Sequence, residues 1–169
     1  MTASELSTLP DEALRAALTA CCGASHWVEA TLATRPWADA ATLLDAAERA
    51  WRGLTRAQLA EAVAHHPRLG ESRAAATVSA QASAWSAGEQ AGTREADAET
   101  RAALAQGNRD YEARFGHTFI LCASGRSAAE MLTALRARLT NDPATELDVT
   151  AAELWAITRL RLEKLLAGA

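Results

Sequence analysis

Apolar residues recur at intervals of three and four along most of the chain, with polar residues between them, a period that belongs to helices and not to strands. From Pro10 onward, Leu14, Ala17, Leu18 and Cys21 share one stripe, with Thr8 as the expected cap and Gly23 as the stop. A short helix is expected after Ser25, carrying Trp27, Ala30 and Leu32, and Pro36 closes it because proline disfavours helical backbone in the residue before it. Residues 39–53 place Leu43, Ala47, Ala50 and Trp51 on one stripe and pair Asp45 with Arg49 four positions on. Thr55 and Gln58 form a capping-box pattern ahead of Leu59 and Val63, and Pro67 forces that helix to stop near His65. His66 is therefore expected at a helix end.

In the second half, residues 74–90 read as helix with Val78, Ala82 and Trp85 inward, and residues 95–115 read as a long helix carrying Leu104, Asn108, Tyr111 and Phe115. Phe119, Ile120, Leu121, Cys122 and Ala123 then make the one dense apolar run. It is too short for a buried helix and has no partner strand in sequence, so it reads as an extended buried segment whose backbone groups need partners. Ser127 and Glu130 repeat the capping-box pattern, and Asp142 caps a final helix that has Pro143 at its first position and Leu147, Leu154, Ile157, Leu160, Arg161 and Leu165 near one stripe. The expectation is an all-α, single-domain bundle over residues 1–169, with about eight helices and one short extended buried segment.

Composition sharpens this picture. Hydrophobic residues make up 49% of the 169, but only four are Val and two are Ile, so the apolar content is mostly Ala and Leu, which favour helix. A net charge of −4 with interleaved signs leaves no footprint for nucleic acid or an anionic membrane. No apolar run approaches a bilayer-spanning length and the N-terminal residues lack a signal-peptide pattern, so a cytoplasmic protein is expected. Three cysteines, Cys21, Cys22 and Cys122, suit reduced and buried thiols. No His-Glu-x-x-His pattern, Cys/His cluster or glycine-rich phosphate loop occurs, and no metal is expected.

Against this alanine-rich background a few polar residues stand out. His66 at a helix C-terminus would feel the negative end of the macrodipole, which favours the protonated ring and suits a general acid; the alternative is a helix-ending His that binds a terminal carbonyl. His65 reads as surface. Ser86 and Glu89 share a helix face and Gln90 is turned about 100° from Glu89, so the three border one pocket only at its rim or at the helix end; taken singly each would be solvated. Arg161 lies on the apolar stripe of the last helix, an expensive place for a permanent charge without a partner, and fits either a structural ion pair or a substrate carboxylate or ureido group.

Motif order and spacing over nearly the whole length resemble the family of 2-oxo-4-hydroxy-4-carboxy-5-ureidoimidazoline (OHCU) decarboxylases. The resemblance is carried by His65-His66-Pro67-Arg68-Leu69-Gly70-Glu71, by Ser86-Ala87-Gly88-Glu89-Gln90-Ala91-Gly92 and by Phe115-Gly116-His117-Thr118-Phe119-Ile120-Leu121-Cys122-Ala123. Asn141-Asp142-Pro143-Ala144-Thr145-Glu146 and Ile157-Thr158-Arg159-Leu160-Arg161-Leu162 complete it. It implies an all-helical, cofactor-free and metal-free homodimeric enzyme, with His66 as the catalytic histidine and Glu89 as its acidic partner. It also implies that Pro67, Ser86, Gln90 and Arg161 bind a small ureidoimidazoline carboxylate, together with the backbone of Phe119, Ile120, Leu121, Cys122 and Ala123. Two departures stand in the sequence: Ala156 replaces a lysine of many relatives, and Ser124-Gly125-Arg126 replaces an arginine that some carry directly after Cys-Ala, which leaves the role of Arg126 open.

Two other readings remain. In one, the fold is kept and the substrate is a different ureido acid or purine-breakdown intermediate. In the other, the chain is a helical interaction module whose Trp27, Trp37, Trp51, Trp85 and Trp155 build core and interface. The second expects His66, Glu89 and Arg161 to point to solvent in different directions.

Overall fold

In the computed structural model, which describes residues 1–70, 79–94 and 96–168, the chain is all-α: nine α-helices and one 3-10 turn among the described residues, with no strand. It divides into two compact units, Met1–His65 with Trp155–Ala169, and His66–Leu154.

The first unit holds α1 (Ala3–Ser7), α2 (Asp11–Cys21), α3 (Ser25–Leu32), α4 (Ala40–Arg52), α5 (Arg56–Ala64) and the C-terminal part of α9 (Pro143–Ala167). Its core is mostly apolar, with Leu6, Leu14, Leu18, Cys21, Trp27, Trp37 and Leu43 almost fully buried; among the described residues, Thr31, Thr158 and Arg161 are the polar residues buried in this unit. Two indole N–H groups are satisfied from within: Trp27 Nε1 donates to the Ala47 carbonyl at 3.0 Å and Trp37 Nε1 to Thr34 Oγ1 at 2.9 Å. Trp51 and Trp155 stack obliquely with centroids 5.9 Å apart. The capping box on Thr55 and Gln58 forms as the sequence predicts, and Asp39 caps α4.

Helix α1 is not among the predicted elements. Thr2 and Glu5 make a capping box there, and Thr8, expected to open the next helix, closes α1 instead, leaving Pro10 at the cap position of α2. A five-residue helix has too few positions to show a period, so its caps are its only sequence signal.

The second unit holds α6 (Ala80–Glu89), the 3-10 turn (Ala91–Thr93), α7 (Ala98–Phe115), α8 (Ala128–Arg138) and the first part of α9. The predicted helix over 74–90 is observed from Ala80, with Ser79 as its cap; its earlier residues lie outside those described. Asp97 caps α7, Ser127 and Glu130 form the second capping box, and Asp142 Oδ1 accepts from the Ala144 and Thr145 amides at the start of α9. Helices α7 and α8 approach closely at Gly107, where a Cβ would lie 2.4 Å from Leu135 Cδ2. The core gathers Leu69, Leu104, Tyr111, Phe119, Leu121, Ala123, Met131 and Leu135, so residues 119–123 run through it as the non-helical segment the sequence predicts.

Candidate active site

Helix α5 ends at His65, whose Nδ1 lies 2.8 Å from the Glu61 carbonyl and whose ring packs over Gly23. His65 thus takes a carbonyl-binding role at the helix end, and it is half-buried rather than plain surface. His66 follows outside the helix, half-buried, with its Nε2 atom shielded from solvent. Pro67, also half-buried, leads into a short loop that is held at three points. Arg68 grips Glu112 of α7 with Nε and Nη2, at 2.6 and 2.7 Å. Asn108 Nδ2 donates to the Leu69 carbonyl at 2.9 Å, and the Gly70 amide donates to Gln90 Oε1 at 2.8 Å.

The last of these ties connects the histidine loop to the end of α6. Gln90 is the C-terminal cap residue there and its Nε2 donates to Ser86 Oγ at 3.3 Å, one turn back. Ser86 and Glu89 are buried, at 9% and 7% exposure, so the expectation that isolated residues of this kind are solvated does not hold here. A carboxylate this deep is costly without polar neighbours, which marks the helix end as more than surface. After α6 the chain turns at Gly92, where a Cβ would lie 2.2 Å from the Arg126 carbonyl oxygen; only glycine admits that approach.

The segment 119–123 belongs to the same unit. Phe119, Ile120, Leu121 and Ala123 are buried and Cys122 is half-buried, a departure from the expectation that all three thiols are buried. Burial pushes the Cys122 thiol up, as do the Glu153 and Glu89 carboxylates nearby, so the thiol stays protonated at neutral pH. The Ile120 carbonyl accepts from Arg138 Nη1 at 2.5 Å and the Cys122 amide donates to Glu153 Oε2 at 2.8 Å. Arg126 Nη2 stands 3.9 Å from Glu153 Oε1, giving this residue a definite neighbour.

Arg138 belongs to a buried network that sequence reading did not single out. Its Nε and Nη2 donate to Glu146 Oε1 at 2.8 and 2.5 Å, Nη2 reaches Thr150 Oγ1 at 3.0 Å, and the guanidinium lies 4.6 Å over the Phe119 ring. Tyr111 donates its hydroxyl proton to Glu146, and Asn141 Nδ2 donates to the other carboxylate oxygen at 2.7 Å. Burial alone would raise the Glu146 carboxyl, but the donors Arg138, Tyr111 and Asn141 outweigh it and hold it below the usual carboxylate range. Burial and the Glu146 contact push the Tyr111 hydroxyl up to about 12. The signal was present: Met131, Leu135 and Arg138 fall at helical spacing, the same charge-on-an-apolar-stripe pattern that drew attention to Arg161.

Arg161 lies in the first unit, 5% exposed on α9. There it is a positive neighbour of the Cys22 thiol, which burial nonetheless pushes up to about 11 and which bonds Thr158. The interaction-module reading expects His66, Glu89 and Arg161 to point to solvent in different directions; His66 is half-buried, and Glu89 and Arg161 are buried.

Comparisons with known proteins find relatives over most of the chain. The family model described as OHCU decarboxylase matches residues 7–163. The chain is 32% identical over 153 residues to the uric acid degradation bifunctional protein TTL of Arabidopsis thaliana, covering 86% of this chain and 45% of that one. It is 36% identical over 77 residues to the 2-oxo-4-hydroxy-4-carboxy-5-ureidoimidazoline decarboxylase of Amia calva, covering 46% and 44% of the two chains. The match thus spans less than half the length of either curated relative. A crystal structure of OHCU decarboxylase in the presence of (S)-allantoin superposes with a TM-score of 0.76 at 29% identity, over 94% of this chain and 99% of that one. A crystal structure of (S)-allantoin synthase, at 18% identity, shares the fold with a TM-score of 0.71 over 97% of this chain and 54% of that one.

Proposed function

The chain belongs to the OHCU decarboxylase family, and on that premise we propose that it decarboxylates 2-oxo-4-hydroxy-4-carboxy-5-ureidoimidazoline to (S)-allantoin and CO2 in urate degradation. One observation carries the reading: Ser86, Glu89 and Gln90 gather at a partly buried helix end that is bonded, through Gln90 Oε1 and the Gly70 amide, to the loop opening with His66 and Pro67. A carboxylate, an amide and a hydroxyl are thereby joined to the loop that carries the histidine, the groups this proton chemistry calls for.

The substrate holds its carboxylate on a carbon next to an imine-like ring carbon. The electron pair of the breaking C–C bond therefore passes into a sink already present in the heterocycle, and the reaction calls for no cofactor. The protein has to hold the carboxylate out of the ring plane, bind the neighbouring hydroxyl and manage proton transfer. In this reading His66, oriented by Glu89, contacts the hydroxyl and the carboxylate and takes part in proton transfer. Ser86, Gln90, Pro67 and the backbone of residues 119–123 hold the ring and ureido group. Arg161 is assigned to the substrate on its motif match and its burial. The active form is taken as a homodimer, as the family resemblance implies, and as cytoplasmic, as the sequence reading expects.

Circular dichroism of freshly generated substrate tests the reading. Wild type should accelerate formation of (S)-allantoin well above spontaneous decay, and His66→Ala should lose roughly 10²- to 10⁴-fold in rate with folding intact. An unchanged, racemic decay with wild type would sink the proposal.

A further inference from the structure

A buried stretch of backbone outside any helix or sheet has to satisfy its peptide groups one by one. In extended chain, alternate residues face opposite sides, and their N–H and C=O groups alternate with them. Two bonds made by residues 119–123 fit that parity. The Ile120 carbonyl and the Cys122 amide, two residues apart, are both taken by side chains of neighbouring helices, Arg138 of α8 and Glu153 of α9. Both partners are charged, so both bonds are of the stronger, charge-assisted kind. The amides of Phe119, Leu121 and Ala123, on the opposite parity, donate to no acceptor among the described residues, although these residues are 1%, 6% and 3% exposed.

We propose that Glu153 and Arg138 are positioning residues that clamp one side of this segment and so present its other side to a ligand. Arg126, 3.9 Å from Glu153 Oε1, supplies the counter-charge that keeps the Glu153 carboxylate aimed at the Cys122 amide. Neither clamp residue touches substrate; each acts through the peptide group it holds. The inference rests on the proposed function for the identity of the ligand, but the clamp itself is a property of the fold.

Glu153 gives the cleaner test, because it is only partly buried and sits inside α9, where alanine is well tolerated. Glu153→Ala removes the acceptor, Glu153→Gln keeps an oxygen for the Cys122 amide, and both are compared with wild type. Glu153→Ala should raise KM for substrate and Kd for (S)-allantoin about tenfold with kcat within about threefold, and glutamine should restore both to near wild type. Hydrogen exchange at the Cys122 amide should speed up at least about tenfold in Glu153→Ala alone, with exchange elsewhere on α7 and α8 unchanged. Unchanged ligand affinity in Glu153→Ala, or a loss that glutamine does not rescue, overturns the positioning role even if thermal stability falls. If wild type itself fails to turn over substrate, the proposed function has failed, and Cys122 exchange still decides the clamp: faster exchange in Glu153→Ala supports it and unaltered exchange overturns it.

Discussion

The two units solve the problem of a small helical core in opposite ways. In Met1–His65 with Trp155–Ala169, bulky apolar groups fill most of the interior, with Arg161 its one buried charge among the described residues, and the indole N–H groups of Trp27 and Trp37 find acceptors on adjacent helix backbone or side chain. In His66–Leu154 an arginine, a glutamate, a tyrosine and a threonine are bonded together inside the core, next to a segment with no secondary structure. The difference follows from what each unit buries. Helices satisfy their own backbone, so an all-helical core can be apolar throughout, whereas burying residues 119–123 buries peptide groups that only polar side chains can meet. A planar guanidinium with five donors can serve a carboxylate, a hydroxyl and a backbone carbonyl at once, as Arg138 does for Glu146, Thr150 and Ile120.

Breaking the polar core should cost most. Glu146→Ala leaves the Arg138 guanidinium buried without its carboxylate, and urea denaturation should show a loss of about 3–5 kcal/mol. Replacing Arg138 and Glu146 together with apolar residues of similar volume should be far milder, within about 2 kcal/mol of wild type, because no orphan charge remains. A double variant as unstable as Glu146→Ala would mean that the network's contact with the Ile120 carbonyl, and not the ion pair, carries its stability.

In the apolar unit, Trp27→Ala should cost about 3–4 kcal/mol through the cavity and the lost indole bond, and this loss should not vary with pH.

The smallest effect sharpens the comparison furthest. Glu146 is held below the usual carboxylate range, so its ionised form stabilises the folded chain above pH about 4.3 and that contribution is lost as pH falls through its lower folded value. Tyr111 is raised to about 12, so its contribution is complete below pH about 10 and lost as pH rises from there. Urea midpoints measured against pH should therefore fall at both ends, and Glu146→Gln should flatten the acid limb. An acid limb unchanged in Glu146→Gln would assign acid sensitivity to the surface carboxylates instead.

Much of the fold was legible because its signals are local. Capping boxes at Thr55 and Ser127, the Asp142–Pro143 start and the period-3.6 stripes each act within one turn of helix, so neighbours in sequence suffice to reveal them. That residues 119–123 are not helical was legible too, since their length and apolarity fit no buried helix. Of the candidate site, residue types and family motifs could be read, and the charge on the apolar stripe singled out Arg161.

What sequence could not supply is which polar groups meet. Arg138 and Glu146 are eight positions apart on different helices, Cys122 and Glu153 are thirty-one apart, and Gly70 and Gln90 are twenty apart. Those pairings depend on how helices pack, and the burial of Glu89 and Ser86 depends on it as well. Sequence by itself determined where helices begin, which faces turn inward and which stretch could not be helical, because hydrogen bonds and hydrophobic period act over a few residues. Tertiary structure alone decided which side of that stretch is clamped and which carboxylate is buried, because both follow from desolvation by residues far away in the chain.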